Sequence, residues 1–289
     1  MGGSKGLALR STVYPADLVV EIAREVDGSF SSLWFPSVAA QDPLHLCDIS
    51  LGVTRELLAA TGVIRLHEYN PTVLAMRVDE LSKSHNNRFV LGVGTGQMIG
   101  AHAIEQLLHL TAKVRSSHLG ISRVSIYFAG LGPKMVSAAF GAADGVLLNF
   151  CSPHYASSVT SRGSSGRVEG FKVACYVKLF FAESDSDAQA MLATEFVHYD
   201  SMPQYHRMFK SMGITEVIKS FKEGGEVAKE YLSRSISEIS LANPTRAEVL
   251  DLLGRFHEAG VDTPIVYPYV RGSDEYKIQV VRMLRDWTN

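Results

Sequence analysis

Cysteine is scarce in this chain. Cys47, Cys151 and Cys175 are the only three, widely spaced and without a CxxC pair, which excludes a disulfide framework and a zinc ribbon. A reducing cytoplasm fits such usage, and no metal site is expected. Charge of one sign is lacking too. The 28 Lys and Arg residues nearly balance the 30 Asp and Glu residues and are scattered, so no field gathers a polyanion and no nucleic-acid partner is expected. Long apolar runs are missing, since no stretch reaches the roughly 18 uncharged apolar residues of a membrane span. Residues 1–10 hold no apolar core of a signal peptide, and neither membrane insertion nor secretion is expected.

What is present is an ordinary globular composition, 46% hydrophobic and 20% charged, with ample material for a core. Eight short β-branched or aromatic runs occur at 6–10, 32–36, 63–69, 88–94, 124–129, 145–150, 173–181 and 264–270. Most are followed by a segment of helical spacing, the mark of βα units on a parallel sheet. Pro15 and Asp17, for example, open a helix whose Leu18, Ile22 and Val26 share one face before Asp27-Gly28 ends it. A doubly wound open sheet would use the same alternation, but eight strands point to closure. The expected fold is α/β, a single (β/α)8 TIM barrel over 1–289. The stretch at about 185–260 holds more helix than one crossover needs, so a helical insertion is expected between strands seven and eight. Within it Thr245 and Glu248 stand in capping-box spacing.

Three segments carry candidate chemistry. In Arg88-Phe-Val-Leu-Gly-Val-Gly-Thr-Gly-Gln97 a buried strand ends in alternating glycines, which let backbone approach a flat ring or a phosphate. The GxGxxG spacing of a dinucleotide fingerprint is absent, and a tight βα turn is the alternative. In Phe128-Ala-Gly-Leu-Gly-Pro-Lys-Met135 two glycines precede Pro133 at a helix start, where free N–H groups can hold a phosphate. Lys134 there reads as solvated. In Gly141-Ala-Ala-Asp-Gly-Val-Leu-Leu-Asn-Phe150 a buried strand turns polar at Asn149, on the carboxyl-end face that bears ligands in barrels. Asp144 lies at the other end and reads as structural.

In this order and spacing, RFVLGVGTG, AGLGPKM and ADGVLLNF resemble the bacterial-luciferase-like superfamily. The likeness is greatest to its F420-dependent oxidoreductases, such as methylenetetrahydromethanopterin reductase. Leu33-Trp34-Phe35-Pro36 and Val78-Asp79-Glu80-Leu81-Ser82 resemble two more pieces of that pattern. The resemblance implies a deazaflavin or flavin ring in the barrel mouth, with coenzyme F420 as the cofactor and FMN as the alternative. It places Gly94, Thr95 and Gly96 near the ring and Gly130, Leu131 and Gly132 at the phosphate, with Asn149 closing the pocket. It also implies a homodimer acting on a small-molecule substrate. Ser37-Val38 stand where many members have Asp-His, and Gln97 where several have an acid, so acid–base work would fall to His67, Glu68 or Gln97. His67 and Glu68 are expected at the carboxyl end of the third strand, where alternation turns only one inward. Tyr14 is a possible hydrogen-bond donor to substrate or a packing residue over the mouth. Trp34 is a possible pocket wall, and Arg162 or Arg167 a possible contact for an acidic cofactor tail.

The implied activity is hydride transfer between reduced deazaflavin and a small unsaturated or carbonyl substrate. An FMN-dependent luciferase-like monooxygenase and a catalytically weakened cofactor-binding protein are the rival readings.

Overall fold

The computed structural model describes residues 4–36, 41–96, 101–117, 124–161, 169–223 and 236–288. Eight parallel strands close a barrel: β1 (Gly6–Ala8), β2 (Ser32–Phe35), β3 (Leu58–Thr61), β5 (Phe89–Gly94), β6 (Ser125–Ala129), β7 (Gly145–Asn149), β8 (Lys172–Phe181) and β10 (Thr263–Val270). β10 pairs with β8 on one side and with β1 on the other, which completes the ring. Followed once round the barrel, the pairing register advances eight residues along β8, the shear of a TIM barrel.

Helices α1 (Ala16–Val26), α2 (Pro43–Val53), α3 (Pro71–Ser84), α4 (Ala101–Ser117), α5 (Pro133–Ala142) and α6 (Pro153–Thr160) connect the strands in turn. Pro at the first turn recurs in four of them, where its missing N–H costs nothing and its fixed φ suits the helix. The apolar stripe predicted for α1 is buried at Leu18, Ile22 and Val26. Between β8 and β10 lie α7 (Asp185–Asp200), α8 (Pro203–Ser211), α9 (Thr215–Glu223), the short β9 (Ser240–Ala242) on β8, and α10 (Arg246–Glu258). Thr245 and Glu248 form the capping box of α10. α11 (Asp274–Thr288) follows the last strand. No helix among the described residues is long and apolar enough to cross a membrane.

One strand differs from the sequence expectation. The third barrel strand is Leu58–Thr61, not 63–69, and after Gly62-Val63 the chain makes only the short β4 (Ile64–Arg65) before a 3-10 turn at Leu66–Glu68. Leu58-Ala-Ala-Thr61 lacks the β-branched run by which strands are recognised, while Val63-Ile64 shows it. The chain bulges inward at the join. Thr61 Oγ1 accepts from Gly92 N at 2.9 Å and donates to Gly92 O at 3.1 Å, replacing ladder bonds. A Cβ on Gly92 would lie 1.9 Å from Thr61 O, so only glycine allows this approach.

Candidate active site at the barrel mouth

Register fixes which side chains face inward. On β3, β5 and β6 the inward positions at the carboxyl ends are small, Ala60, Gly92, Gly94 and Ala129, whereas β8 and β10 present Tyr176, Lys178, Phe180, Tyr267 and Tyr269. At the carboxyl ends bulk is therefore concentrated on the β8–β10 side, with Trp34 and Tyr127 lying deeper on the other. Trp34 forms the floor rather than a wall. It is buried, donates from Nε1 to Ser32 Oγ at 2.8 Å, and stands edge-on to Tyr127 and Tyr176.

The glycine turns behave differently from one another. A Cβ on Gly94 would meet Val63 Cγ1 at 2.8 Å, and one on Gly130 would meet Met135 Cγ at 2.9 Å, so these two serve close packing. Gly96 has φ +62 and lies under the ring of His67, whose Cε1 would be 2.7 Å from an added Cβ. Thr95 lies half-buried between the last two residues of this turn. The fold thus brings the predicted His67 onto the predicted glycine turn.

His67 and Glu68 are not at a strand end, which corrects the alternation argument. They occupy the 3-10 turn, both exposed, with Arg65 Nη1 3.0 Å from Glu68 Oε1 and His67 Nε2 4.0 Å from the same oxygen. Gln97, Ser37-Val38, Arg162 and Arg167 lie outside the described residues.

Gly132 is the N-cap of α5 and faces open space. It lines a cavity of about 730 Å³ with Leu131, Ser152, His154, Tyr155 and Arg207. Tyr155 OH donates to Leu131 O at 2.6 Å, fixing that turn. Lys134 is exposed, as expected of a solvated lysine. Asp144 accepts from Ile126 N at 2.9 Å and from Arg115 at 3.0 Å, a structural role.

Asn149 donates from Nδ2 to Tyr205 OH of α8 at 2.8 Å, while its buried Oδ1 has no partner among the described residues. Tyr176, its register neighbour on β8, also has a buried hydroxyl without a partner. Burial pushes the Tyr176 phenol well above its ordinary range, so it stays neutral and able to donate. Tyr14 is fully buried, and its hydroxyl likewise lacks a partner.

A further cluster escaped the sequence reading. Lys178, 1% exposed, places Nζ 3.0 Å from Glu195 Oε1 of α7, 3.9 Å from the Phe150 ring centroid and 4.0 Å from that of Tyr199. Phe150 holds φ +56, strained for an aromatic residue, to put its ring there. Burial alone would raise the Glu195 carboxyl, but Lys178, Tyr269 and Arg10 together hold it below the usual carboxylate range. Its one sign in the sequence is a lysine in the apolar middle of β8, whose other lysine, Lys172, stands exposed at the strand's start.

A closed parallel barrel, a bulge after its third strand, glycine turns on the fourth and fifth, and a helical insertion before the last strand are now in view. The sequence profile described as luciferase-like monooxygenase matches residues 100–263, more than half of the chain. The chain belongs to the luciferase-like monooxygenase family. No curated protein matches it. The solved structures similar to this luciferase-like chain include an F420-dependent secondary alcohol dehydrogenase in complex with an F420–acetone adduct, at 14% identity and TM-score 0.73 over the whole of both chains. The coenzyme F420-dependent tetrahydromethanopterin reductase from Methanopyrus kandleri is similar at 14% identity and TM-score 0.71, over 99% of this chain and 98% of that one. The oxygenating constituent of 3,6-diketocamphane monooxygenase from Pseudomonas putida, in complex with FMN, is similar at 16% identity and TM-score 0.61, over 100% and 98%.

Proposed function

We propose that this protein is an F420-dependent oxidoreductase of the reducing cytoplasm, acting as a homodimer on a small unsaturated or carbonyl substrate. The observation that carries the reading is that two buried polar atoms on the inner face of an aromatic mouth, Asn149 Oδ1 and Tyr176 OH, have no partner among the described residues; they belong to register neighbours, and the Tyr176 hydroxyl reaches across to Gly62. Leaving such a group unsatisfied costs about 1–3 kcal/mol, so a ligand with a polar edge and an apolar face suits them. A deazaflavin ring has both. Its phosphate suits the cavity at Gly132, where α5 offers backbone N–H groups and Arg207 a positive charge.

When bound, reduced deazaflavin supplies a hydride, and the protein binds, orients and excludes water. Asn149 and Tyr176 hold the polar edge, and Trp34 closes the floor. Gly96 and His67 border the mouth on the β5 side, and Thr61-Gly62 bulges against the same wall. His67, exposed and near Glu68, can exchange a proton with solvent and deliver it at the mouth. F420-dependent enzymes are among the solved structures similar to this chain, in keeping with the motif resemblance.

The FMN-dependent monooxygenase is the second reading, favoured by the name of the family profile. Fluorescence titration of the purified chain with F420 and with FMN separates the two. F420 is expected to bind at micromolar concentration and more tightly than FMN, with Asn149→Ala weakening it. Tighter FMN binding supports the second reading, and binding of neither cofactor sinks both.

A further inference from the structure

Arg10 stands at the carboxyl end of β1, on the inward-facing register that runs through Gly6 and Ala8. Its guanidinium carbon lies 5.4 Å from the Tyr269 ring centroid, and its Nε is buried without a hydrogen-bond partner. No hydrogen bond or ion pair reaches this side chain from the described residues. Glu195 is the carboxylate of this part of the mouth, and at 3.0 Å it belongs to Lys178. Two cations therefore share one anion, and the charge left over is Arg10's. A half-buried guanidinium that feels Glu195 only at a distance, with no ion pair of its own among the described residues, is a costly arrangement for a protein to keep.

The same loop carries two more orphans. Ser11 Oγ and Tyr14 OH are buried without a partner among the described residues, and Gln41 fixes the loop by donating to the carbonyls of Ser11 at 2.8 Å and Tyr14 at 3.3 Å. We infer that Arg10 anchors an anionic group, a carboxylate or similar oxyanion, carried by the substrate. A guanidinium over an aromatic face keeps its planar fork free for bidentate pairing with a carboxylate.

The anion could in principle belong to the cofactor's own tail. Position argues for the substrate. In the closed strand order β1 and β6 are four strands apart in either direction, so Arg10 faces the Gly132 turn from across the mouth. A cofactor anchored at Gly132 with its ring over the centre leaves the β1–β10 side for the substrate. The inference rests on the oxidoreductase reading for the word substrate, but the anion site stands or falls by itself.

The test uses the intact chain, free and loaded with F420 or FMN, and three matched probe pairs: acetate with acetamide, pyruvate with pyruvamide, crotonate with crotonamide. Binding is read by saturation-transfer NMR, which needs no turnover. At least one carboxylate is expected to bind about tenfold more tightly than its amide, a preference that Arg10→Met removes and Arg10→Lys partly keeps. Circular dichroism checks that the variants fold, and the wild-type comparison needs no variant. Equal or absent binding across all pairs overturns the inference, as does a preference that survives in Arg10→Met. An Arg10→Met variant that loses cofactor affinity about tenfold assigns the anion to the cofactor and also overturns it. Retained carboxylate preference without cofactor binding instead defeats the oxidoreductase reading and leaves the anion site.

Discussion

Gly96 shows how much one hydrogen atom can decide. Its φ of +62 disfavours any side chain, and the His67 ring occupies the place of a Cβ. Gly96→Ala is expected to cost about 1–2 kcal/mol through strain at positive φ and to displace His67. His67→Ala in the same chain should recover the steric part and leave the strain. Urea unfolding of the two single variants and the double variant measures this coupling, and additive losses would show that the ring does not lie on the glycine. At this scale the sequence was partly legible. The glycines and Asn149 were visible because turn chemistry is local, whereas His67 reached the turn through a 3-10 turn that no alternation rule describes. Arg10 and Lys178 were passed over because a lone charge in an apolar strand carries no motif.

The insertion is tied to the barrel by charge as well as by packing, since Lys178 of β8 and Glu195 of α7 meet inside the mouth. Removing one partner leaves the other buried alone, so Lys178→Met is expected to lose about 3–5 kcal/mol. The double variant Lys178→Met, Glu195→Leu should regain most of it, as buried pairs replaced by apolar side chains often do. Acid enters through the same pair. The Glu195 carboxyl lies below its ordinary 4.5 in the folded chain, so its contribution is whole above that value and is lost as pH falls through the lowered one. Urea midpoints of the wild type and Glu195→Gln should therefore converge in acid and part at neutral pH. A constant gap would contradict the assignment. Helices were easier to read than strands: the capping box of α10 and the stripe of α1 stand where their side chains put them, because caps and 3.6-residue periodicity are short-range. β3 was misplaced by its plain Leu-Ala-Ala-Thr, whose strand character comes from its neighbours.

At the scale of the molecule, eight alternations were enough to read a closed barrel, because closure satisfies every strand edge and the count fixes the circumference. What counting could not give is that the wall is uneven. β10 is registered to β8 along its whole length, Thr263 to Val270, while β3 and β5 register only at Ala59 and Ala60 before the bulge, as few pairs as join β1 to β10. Such a ring has a weld and a clasp. Amide exchange is expected to be fastest among the strands at Ala59 and Ala60 and slowest in β8 and β10, which mass spectrometry of peptic fragments can rank. The clasp lies under the glycine turn and the weld under Lys178, so thermal breathing would widen the mouth unevenly, away from the β8–β10 pair. A guest entering there would meet a yielding lip and a fixed anvil.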